Sequence, residues 1–148
     1  MAIYRDHILP RIVERACGLA GLEPLRRRVC AGLRGEVVEI GFGSGHNVPF
    51  YPREVTRVLA VEPADLAWRL ADARIAASPV AVERSGLDGQ RLTLGDESVD
   101  TALVTFSLCT IPDVLAALAE VRRVLRPEGT VHFEMLTRKS VSKLFLLG

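Results

Sequence analysis

Short runs of β-branched residues alternate along this chain with longer stretches whose apolar residues recur at helical spacing. A run of Val, Ile and Leu bounded by glycine or polar turns is typical of a strand buried in a sheet. Five such runs stand at residues 37–40, 57–61, 80–83, 101–106 and 130–135. The fourth run is apolar on both faces, which predicts a strand in the interior of the sheet.

Helices are predicted before and between these strands, because apolar residues recur three and four positions apart and proline or glycine marks the ends. The predicted helices are residues 8–19, 24–33, 46–51, 65–77 and 112–125, and residues 126–129 form a predicted turn. Strands and helices in alternation predict an α/β fold with a doubly wound, mainly parallel, Rossmann-like sheet.

The size and composition of the chain fit one globular domain. Of its 148 residues, 49% are hydrophobic and 25% are charged, as is usual for a domain of this size. The net charge of +1 gives no electrostatic case for nucleic-acid binding, and Arg26, Arg27 and Arg28 are interpreted as a solvated helix face. We divide the domain into N-terminal helices over residues 1–34, a core over residues 35–135 and a short tail over residues 136–148.

Cysteine usage and the lack of a long apolar run indicate the compartment. Cys17, Cys30 and Cys109 are odd in number and lack metal-ligand or redox spacing, which favours a reducing environment. No apolar run approaches the ~20 residues that a membrane span needs, and the N-terminus lacks a signal-peptide pattern. We therefore expect a cytoplasmic protein with no membrane span and no metal site.

Three glycines at alternate positions follow the first predicted strand. Gly41, Gly43 and Gly45 give the spacing Gly-x-Gly-x-Gly, whereas a dinucleotide pyrophosphate site has Gly-x-Gly-x-x-Gly. Glycine suits a tight turn that a ligand approaches closely, because it has no Cβ and tolerates positive φ. His46 stands where a dinucleotide site would have its third glycine, and this disfavours a nicotinamide oxidoreductase.

Two carboxylates follow the second and third predicted strands. Glu62 closes the second strand, where a carboxylate can accept hydrogen bonds from both hydroxyls of a ribose. The alternative for Glu62 is a solvated residue at a strand end. Asp88 follows the third strand, where it can accept a hydrogen bond from the amino group of adenine or can simply form an Asp-Gly turn.

Four motifs in this order resemble class I S-adenosylmethionine-dependent methyltransferases. They are Glu39-Ile40-Gly41-Phe42-Gly43-Ser44-Gly45, Val61-Glu62-Pro63, Asp88 with Leu92 beyond it, and Val124-Leu125-Arg126-Pro127-Glu128-Gly129. Residues 47–51 and 108–112 are similar to the branch that holds ubiquinone/menaquinone C-methyltransferases and thiol methyltransferases. The resemblance covers about residues 4–135, and it implies S-adenosyl-L-methionine as the cofactor and a small-molecule methyl acceptor.

The resemblance implies which residues hold the methionine end of the cofactor. The three glycines of the loop, Gly41, Gly43 and Gly45, would line the methionine moiety and the ribose. Glu39 would steady the loop, or the methionine amino group through water. The backbone around Ser107 and Leu108 would hold the methionine end. Residues 35–135 are in this view the cofactor-binding core.

The adenosine end is assigned by the same resemblance. Glu62 would bind the ribose hydroxyls, Asp88 would accept the adenine amine, and Leu66 would pack on the adenine ring. No catalytic residue is named, because methyl transfer from a sulfonium is an in-line displacement in which positioning supplies most of the catalysis. The sequence does not distinguish a thiol, carbon, oxygen or amine acceptor.

The predicted sheet departs from the family pattern after its fifth strand. It has about five strands instead of the usual seven, as in a C-terminally truncated domain, so strand five would be an exposed edge. A homodimer through this strand-five edge is one expectation. The alternative function is a catalytically inactive, truncated methyltransferase-like protein that acts as a cofactor-binding or dimerisation module.

Overall fold

Five parallel strands form a single sheet in the computed structural model, which describes residue 18 and residues 20–135. The strands are β1 (Gly35–Ile40), β2 (Val55–Val61), β3 (Ala81–Gly86), β4 (Val99–Thr105) and β5 (Leu125–Glu134). Their order is β3-β2-β1-β4-β5, and every neighbouring pair is parallel. The predicted five-stranded α/β sheet is therefore confirmed, and β4 lies inside it between β1 and β5.

Helices precede β1 and connect the strands. Within the described residues they are α1 (Glu23–Cys30), α2 (Asp65–Leu70), α3 (Asp72–Ala76) and α4 (Val114–Val124), with 3₁₀ turns at Ala20–Leu22, Val48–Phe50 and Leu108–Thr110. The helix predicted over residues 8–19 lies outside the described residues apart from residue 18, as does the tail over residues 136–148. The division of the chain into three parts stays a prediction. None of the described helices has the length and apolar character needed to cross a membrane.

The structure differs from the predicted elements in three places. The helix predicted over residues 65–77 divides at Ala71, whose N–H lies 3.2 Å from the Ala67 carbonyl and 3.1 Å from the Trp68 carbonyl. Because this one N–H is shared between two carbonyl groups, the turn tightens and the helix is interrupted. The turn predicted at residues 126–129 lies within β5 and bulges out of the ladder. The helix predicted over residues 46–51 shortens to the 3₁₀ turn Val48–Phe50.

Alternate residues of the inner strands face two different helix layers. On one face they pack with α1 and the turn after it, in a cluster of Val29, Cys30, Leu33, Val37, Val58 and Leu103. On the other face they pack with α4, in a cluster that includes Val38, Ile40, Leu59, Val104, Val121 and Val124. Because both faces are covered, β1, β2 and β4 are nearly continuous apolar runs, and the carboxyl ends of the strands are held at one common edge.

One group of apolar side chains remains exposed beside β5. Val131, Phe133 and Met135 alternate along the end of the chain described here and so share one face. Leu115 and Leu118 of α4 are exposed as well. Phe133 alone is 62% exposed, and an apolar edge of this kind is suited to pairing with another surface.

Candidate functional site

A cavity of about 490 Å³ lies at the carboxyl ends of β1, β2, β3 and β4. Ligands bind at this edge of a doubly wound sheet, beside the point where the strand order reverses, and the volume is in the range of small-molecule sites. The lining includes residues 41–44, 62–64, 87–90, 105–107 and 110–112, together with Arg26 and His46. Each of the four strands therefore contributes the loop that follows it.

The glycine loop turns through three left-handed residues. Gly41, Gly43 and Gly45 have φ values of +73°, +61° and +77°, which glycine adopts at least cost. A Cβ on Gly41 would overlap Ser107, whereas a Cβ on Gly43 would meet no atom within 4 Å. Gly41 and Gly43 line the cavity. Gly45 is not among the lining residues, because it closes the turn against Ala71, which a Cβ would approach to 3.2 Å.

Glu62 is buried at the end of β2 although it carries a carboxylate, with 7% of its surface exposed. Its Oε2 accepts a hydrogen bond from the Gly43 N–H at 2.7 Å, and its Oε1 accepts one from the Ala64 N–H at 2.8 Å. Each carboxylate oxygen has a further lone pair, and the side chain lines the cavity. Glu62 is therefore not a solvated strand-end residue. It holds the glycine loop in place, and it can still accept hydrogen bonds from hydroxyl groups of a ligand.

Asp88 lies after β3, in an exposed part of the cavity wall. Its Oδ1 accepts hydrogen bonds from the Gln90 N–H at 2.8 Å and from Gln90 Nε2 at 3.1 Å. These two hydrogen bonds lower the pKa of Asp88, so the side chain stays an ionised acceptor at neutral pH. Asp88 therefore forms a turn and also lines the cavity, and its role as an adenine acceptor stays a prediction.

Of the other residues that the resemblance assigned to the cofactor, Ser107 lines the cavity and Leu66, Leu108 and Glu39 are absent from its lining. Ser107 Oγ donates to the Ile40 carbonyl at 3.0 Å and so joins the loop after β4 to β1. Leu108 packs on the core beneath α4 instead. On α2 the helix presents Ala67, the next residue, to the cavity in place of Leu66, since neighbouring positions on a helix point in different directions.

Glu39 lies fully buried beneath the glycine loop. Its carboxylate accepts hydrogen bonds from Asn47 Nδ2 at 2.7 Å and from the Tyr51 hydroxyl. Burial raises the pKa of Glu39 to about 7, while the hydrogen bonds from Tyr51 and Asn47 and the charge of Arg26 act in the lowering direction. Through Asn47, Glu39 is tied to the segment that follows the glycine loop and not to the cavity itself.

Arg26 is a cavity residue, so its interpretation as part of a solvated helix face is wrong. The side chains of Arg27 and Arg28 are 68% and 69% exposed, but Arg26 is only 5% exposed. Its Nη1 donates a hydrogen bond to Asn47 Oδ1 at 2.7 Å, and its guanidinium carbon lies 5.1 Å from the centre of the Phe106 ring. Arg26 thus connects α1 to the loops after β1 and β4.

Helical spacing is the signal that could have identified Arg26. The buried side of this segment includes Leu22, Val29, Cys30 and Leu33, and position 26 falls on the same stripe, because residues three and four apart share a helix face. Phe106 carried no such signal. It has a left-handed φ of +56°, a conformation that is uncommon for a residue with a Cβ and is often found at binding sites.

A doubly wound parallel sheet with a glycine loop after β1 and a buried carboxylate after β2 defines a nucleotide-type binding fold. The family comparison specifies it further: a family model described as "Methyltransferase domain" matches residues 38–133. The chain belongs to this methyltransferase family, which confirms the resemblance.

Two curated relatives show the level of similarity. The thiol S-methyltransferase TMT1B of Homo sapiens is 35% identical over 109 residues, which cover 69% of this chain and 43% of that protein. The phosphatidylethanolamine N-methyltransferase of Cereibacter sphaeroides is 32% identical over 142 residues, which cover 88% of this chain and 66% of that protein. The chain therefore spans less than two thirds of the length of each.

Solved structures share the fold. A SAM-dependent methyltransferase from Aquifex aeolicus matches with a TM-score of 0.64 and 20% identity, over 80% of this chain and 68% of that chain. The [4+2]-cyclase SpnF matches with a TM-score of 0.62 and 22% identity, over 74% of this chain and 43% of that chain. At this identity the two structures support the fold alone.

The cofactor of this methyltransferase family is S-adenosyl-L-methionine, as predicted. The described residues fit it in two respects. Gly43 leaves open space where any side chain would stand, and the Glu62 carboxylate lines the cavity with acceptor capacity beyond its two backbone bonds.

The buried Glu39 predicts a pH dependence of stability. Because its pKa rises from 4.5 to about 7 on folding, the folded chain holds a proton that the unfolded chain releases between these values. The resulting stability is fully present below about pH 4.5 and is lost as the pH rises through about 7. We expect the free energy of unfolding of the wild type to fall by about 3 kcal/mol more than that of Glu39→Gln across this window. Urea denaturation measures both, and equal pH slopes would contradict the expectation.

Proposed function

We propose that this chain transfers a methyl group from S-adenosyl-L-methionine to a small-molecule acceptor. The observation that supports the proposal most directly is the position of the Glu62 carboxylate. It lines the cavity and accepts a hydrogen bond from the Gly43 N–H at 2.7 Å. This one side chain thereby connects the end of β2 to the glycine loop after β1. The two curated relatives are both named methyltransferases, which supports the same reaction class.

The strand order supports an orientation of the cofactor along the sheet edge. Asp88 follows β3, Glu62 follows β2, and Gly41 and Gly43 follow β1. We infer that adenine lies beside Asp88, that the ribose hydroxyls bind Glu62, and that the methionine moiety passes over the two glycines toward β4. In this orientation the contribution of the adenine and ribose contacts is to fix the position of the sulfur.

When bound, S-adenosyl-L-methionine supplies a methyl group on a positively charged sulfonium sulfur. Asp88, Glu62 and the two glycines would hold it, and its methyl group would pass to the nucleophilic atom of the acceptor, with S-adenosylhomocysteine as the leaving group and the acceptor proton released to solvent. Phe106, Ile111 and Pro112 line the cavity with apolar surface, which excludes water from the reacting atoms. Positioning of the two reactants in this way is the main contribution that the chain makes to the rate.

A small thiol is the acceptor that we infer. A thiol ionises near pH 8.5 and its thiolate is strongly nucleophilic, so it needs no dedicated base. Among the described lining residues, Glu62 and Asp88 are engaged at the nucleoside end in our orientation, and the remaining charged or basic side chains are Arg26 and His46. The similarity to a thiol S-methyltransferase supports this acceptor class, and neither of the two curated relatives described above supports the inactive alternative.

Cofactor binding is tested by calorimetric titration with S-adenosylhomocysteine. We expect the wild type to bind and Glu62→Ala to bind at least about tenfold more weakly, because hydrogen bonds to a charged group are lost. Gly43→Val should weaken binding similarly, since it places a branched side chain at a left-handed φ in open cavity space. Glu128→Ala, which removes an exposed carboxylate, is the matched control and should bind as the wild type does. No heat from the wild type, or unchanged binding by Glu62→Ala, would contradict the proposal.

The acceptor is tested by incubating the protein with S-adenosyl-L-methionine and 2-mercaptoethanol, with mass spectrometry of the methyl thioether. We expect the initial rate to rise with pH toward the pKa of the thiol, because the thiolate is the nucleophile. Ethanolamine in place of the thiol is the comparison. Methylation of ethanolamine alone would overturn the thiol assignment, and no transfer to either with intact S-adenosylhomocysteine binding would favour the binding-module alternative.

We also propose that two copies of the chain pair through the β5 edge. The exposed Phe133 and Val131 on the edge strand support the pairing. Sedimentation velocity should show a wild-type dimer that Phe133→Asp converts to a monomer. A wild type that sediments as a monomer would contradict the pairing.

We further propose that the protein is cytoplasmic, and the cysteine usage supports this compartment. Recovery in a secreted fraction would contradict it.

A further inference from the structure

We propose that Arg26 binds the carboxylate at the methionine end of S-adenosyl-L-methionine, an inference that rests on the proposed function. Arg26 belongs to α1, which precedes the alternation of strands and helices, yet its side chain lines the cavity. With 5% of its surface exposed, its guanidinium lies where water is scarce. The attraction between a guanidinium and a carboxylate is stronger there than in bulk water.

Arg26 lies on the side of the cavity where Phe106 and Asn47 contact it. Its guanidinium is over the ring of Phe106, which directly follows β4, at 5.1 Å from the ring centre. Asp88 follows β3, and the strand order places β2 and β1 between β3 and β4. A cofactor whose ribose binds at Glu62, with its adenine toward Asp88, therefore extends its amino-acid end toward β4 and Arg26.

The charges of the cavity point in the same direction. Arg26 is the one arginine or lysine among the described lining residues, whereas Glu62 and Asp88 are acidic. A ligand with a single anionic group is thus attracted to the Arg26 end and repelled from the other. The α-carboxylate is the only anionic group of S-adenosyl-L-methionine, and a guanidinium presents paired N–H donors that match the two carboxylate oxygens.

Asn47 holds the guanidinium in place before any ligand arrives. Its Oδ1 accepts the hydrogen bond from Arg26 Nη1 at 2.7 Å. Its Nδ2 donates to Glu39 Oε1 at 2.7 Å and to Thr105 Oγ1 at 2.8 Å, and Asn47 is itself 2% exposed. Since this buried network already fixes the arginine side chain, binding a carboxylate costs less rotamer freedom than it would at a surface arginine.

Calorimetry with two ligands tests the assignment. S-adenosylhomocysteine carries the carboxylate, and decarboxylated S-adenosylhomocysteine keeps the adenosine, sulfur and amino group but lacks it. We expect Arg26→Leu to weaken S-adenosylhomocysteine binding roughly 10- to 100-fold. The same substitution should leave the affinity for the decarboxylated ligand within about twofold. The carboxylate that Arg26 would contact is absent from that ligand, so the wild type and Arg26→Leu both bind it without this contact.

Two variants control for charge and folding. Arg27→Leu removes the same charge from the same helix at a side chain that is 68% exposed, and it should change neither affinity. Arg26→Lys keeps a buried cation without the guanidinium fork, and it should weaken only S-adenosylhomocysteine, by less than Arg26→Leu does. If Arg26→Leu fails to fold, this lysine variant decides the question.

The outcomes separate this inference from the proposed function. Equal weakening of both ligands would assign Arg26 a purely structural role, and unchanged S-adenosylhomocysteine binding would exclude the contact; either result overturns the inference. A wild type that binds neither ligand would overturn the proposed function instead.

Discussion

The carboxylate of Glu62 is the constraint on which the cavity depends. One oxygen accepts the Gly43 N–H and the other accepts the Ala64 N–H, so a single buried side chain holds the glycine loop after β1 against the segment after β2. A carboxylate without such partners would be costly to bury. Its two bonds to backbone groups satisfy part of its acceptor capacity and leave the remainder directed at the cavity, where a ligand with two adjacent hydroxyl groups can use it.

The rest of the site follows from the parallel order of the strands. Because all five strands run in the same direction, the loops that carry Asp88, Glu62, Gly43 and Phe106 meet at one edge in the order β3, β2, β1 and β4. That order gives the cavity an acidic end and a cationic end without any long-range motion of the chain. Beneath it, Asn47 joins Glu39, Thr105 and Arg26, so the cationic end is held to β1 and β4 through buried hydrogen bonds.

The sequence was sufficient for the five strands and for the glycine loop. The apolar runs predicted all five strands, because a strand buried on both faces needs continuous apolar residues, and alternate glycines predicted the left-handed loop. Side-chain direction was less accessible. Gly45 supports the turn where it was expected to line the ligand, and α2 presents Ala67 where Leu66 was expected. Arg26 was missed because its charge, and its position beside two other arginines, was given more weight than its place on the buried stripe of the helix with Leu22 and Val29.

The central claim is that the loop joined to Glu62 is the cofactor site, and an amide NMR titration with S-adenosylhomocysteine tests it most directly. The backbone N–H groups of Gly43 and Ala64 donate to the two oxygens of Glu62, so their resonances report any new bond to that carboxylate. We predict that both resonances shift on titration while that of Gly35, at the opposite end of β1, does not. Shifts confined to residues away from the glycine loop, or no shift at saturating ligand, would contradict the claim.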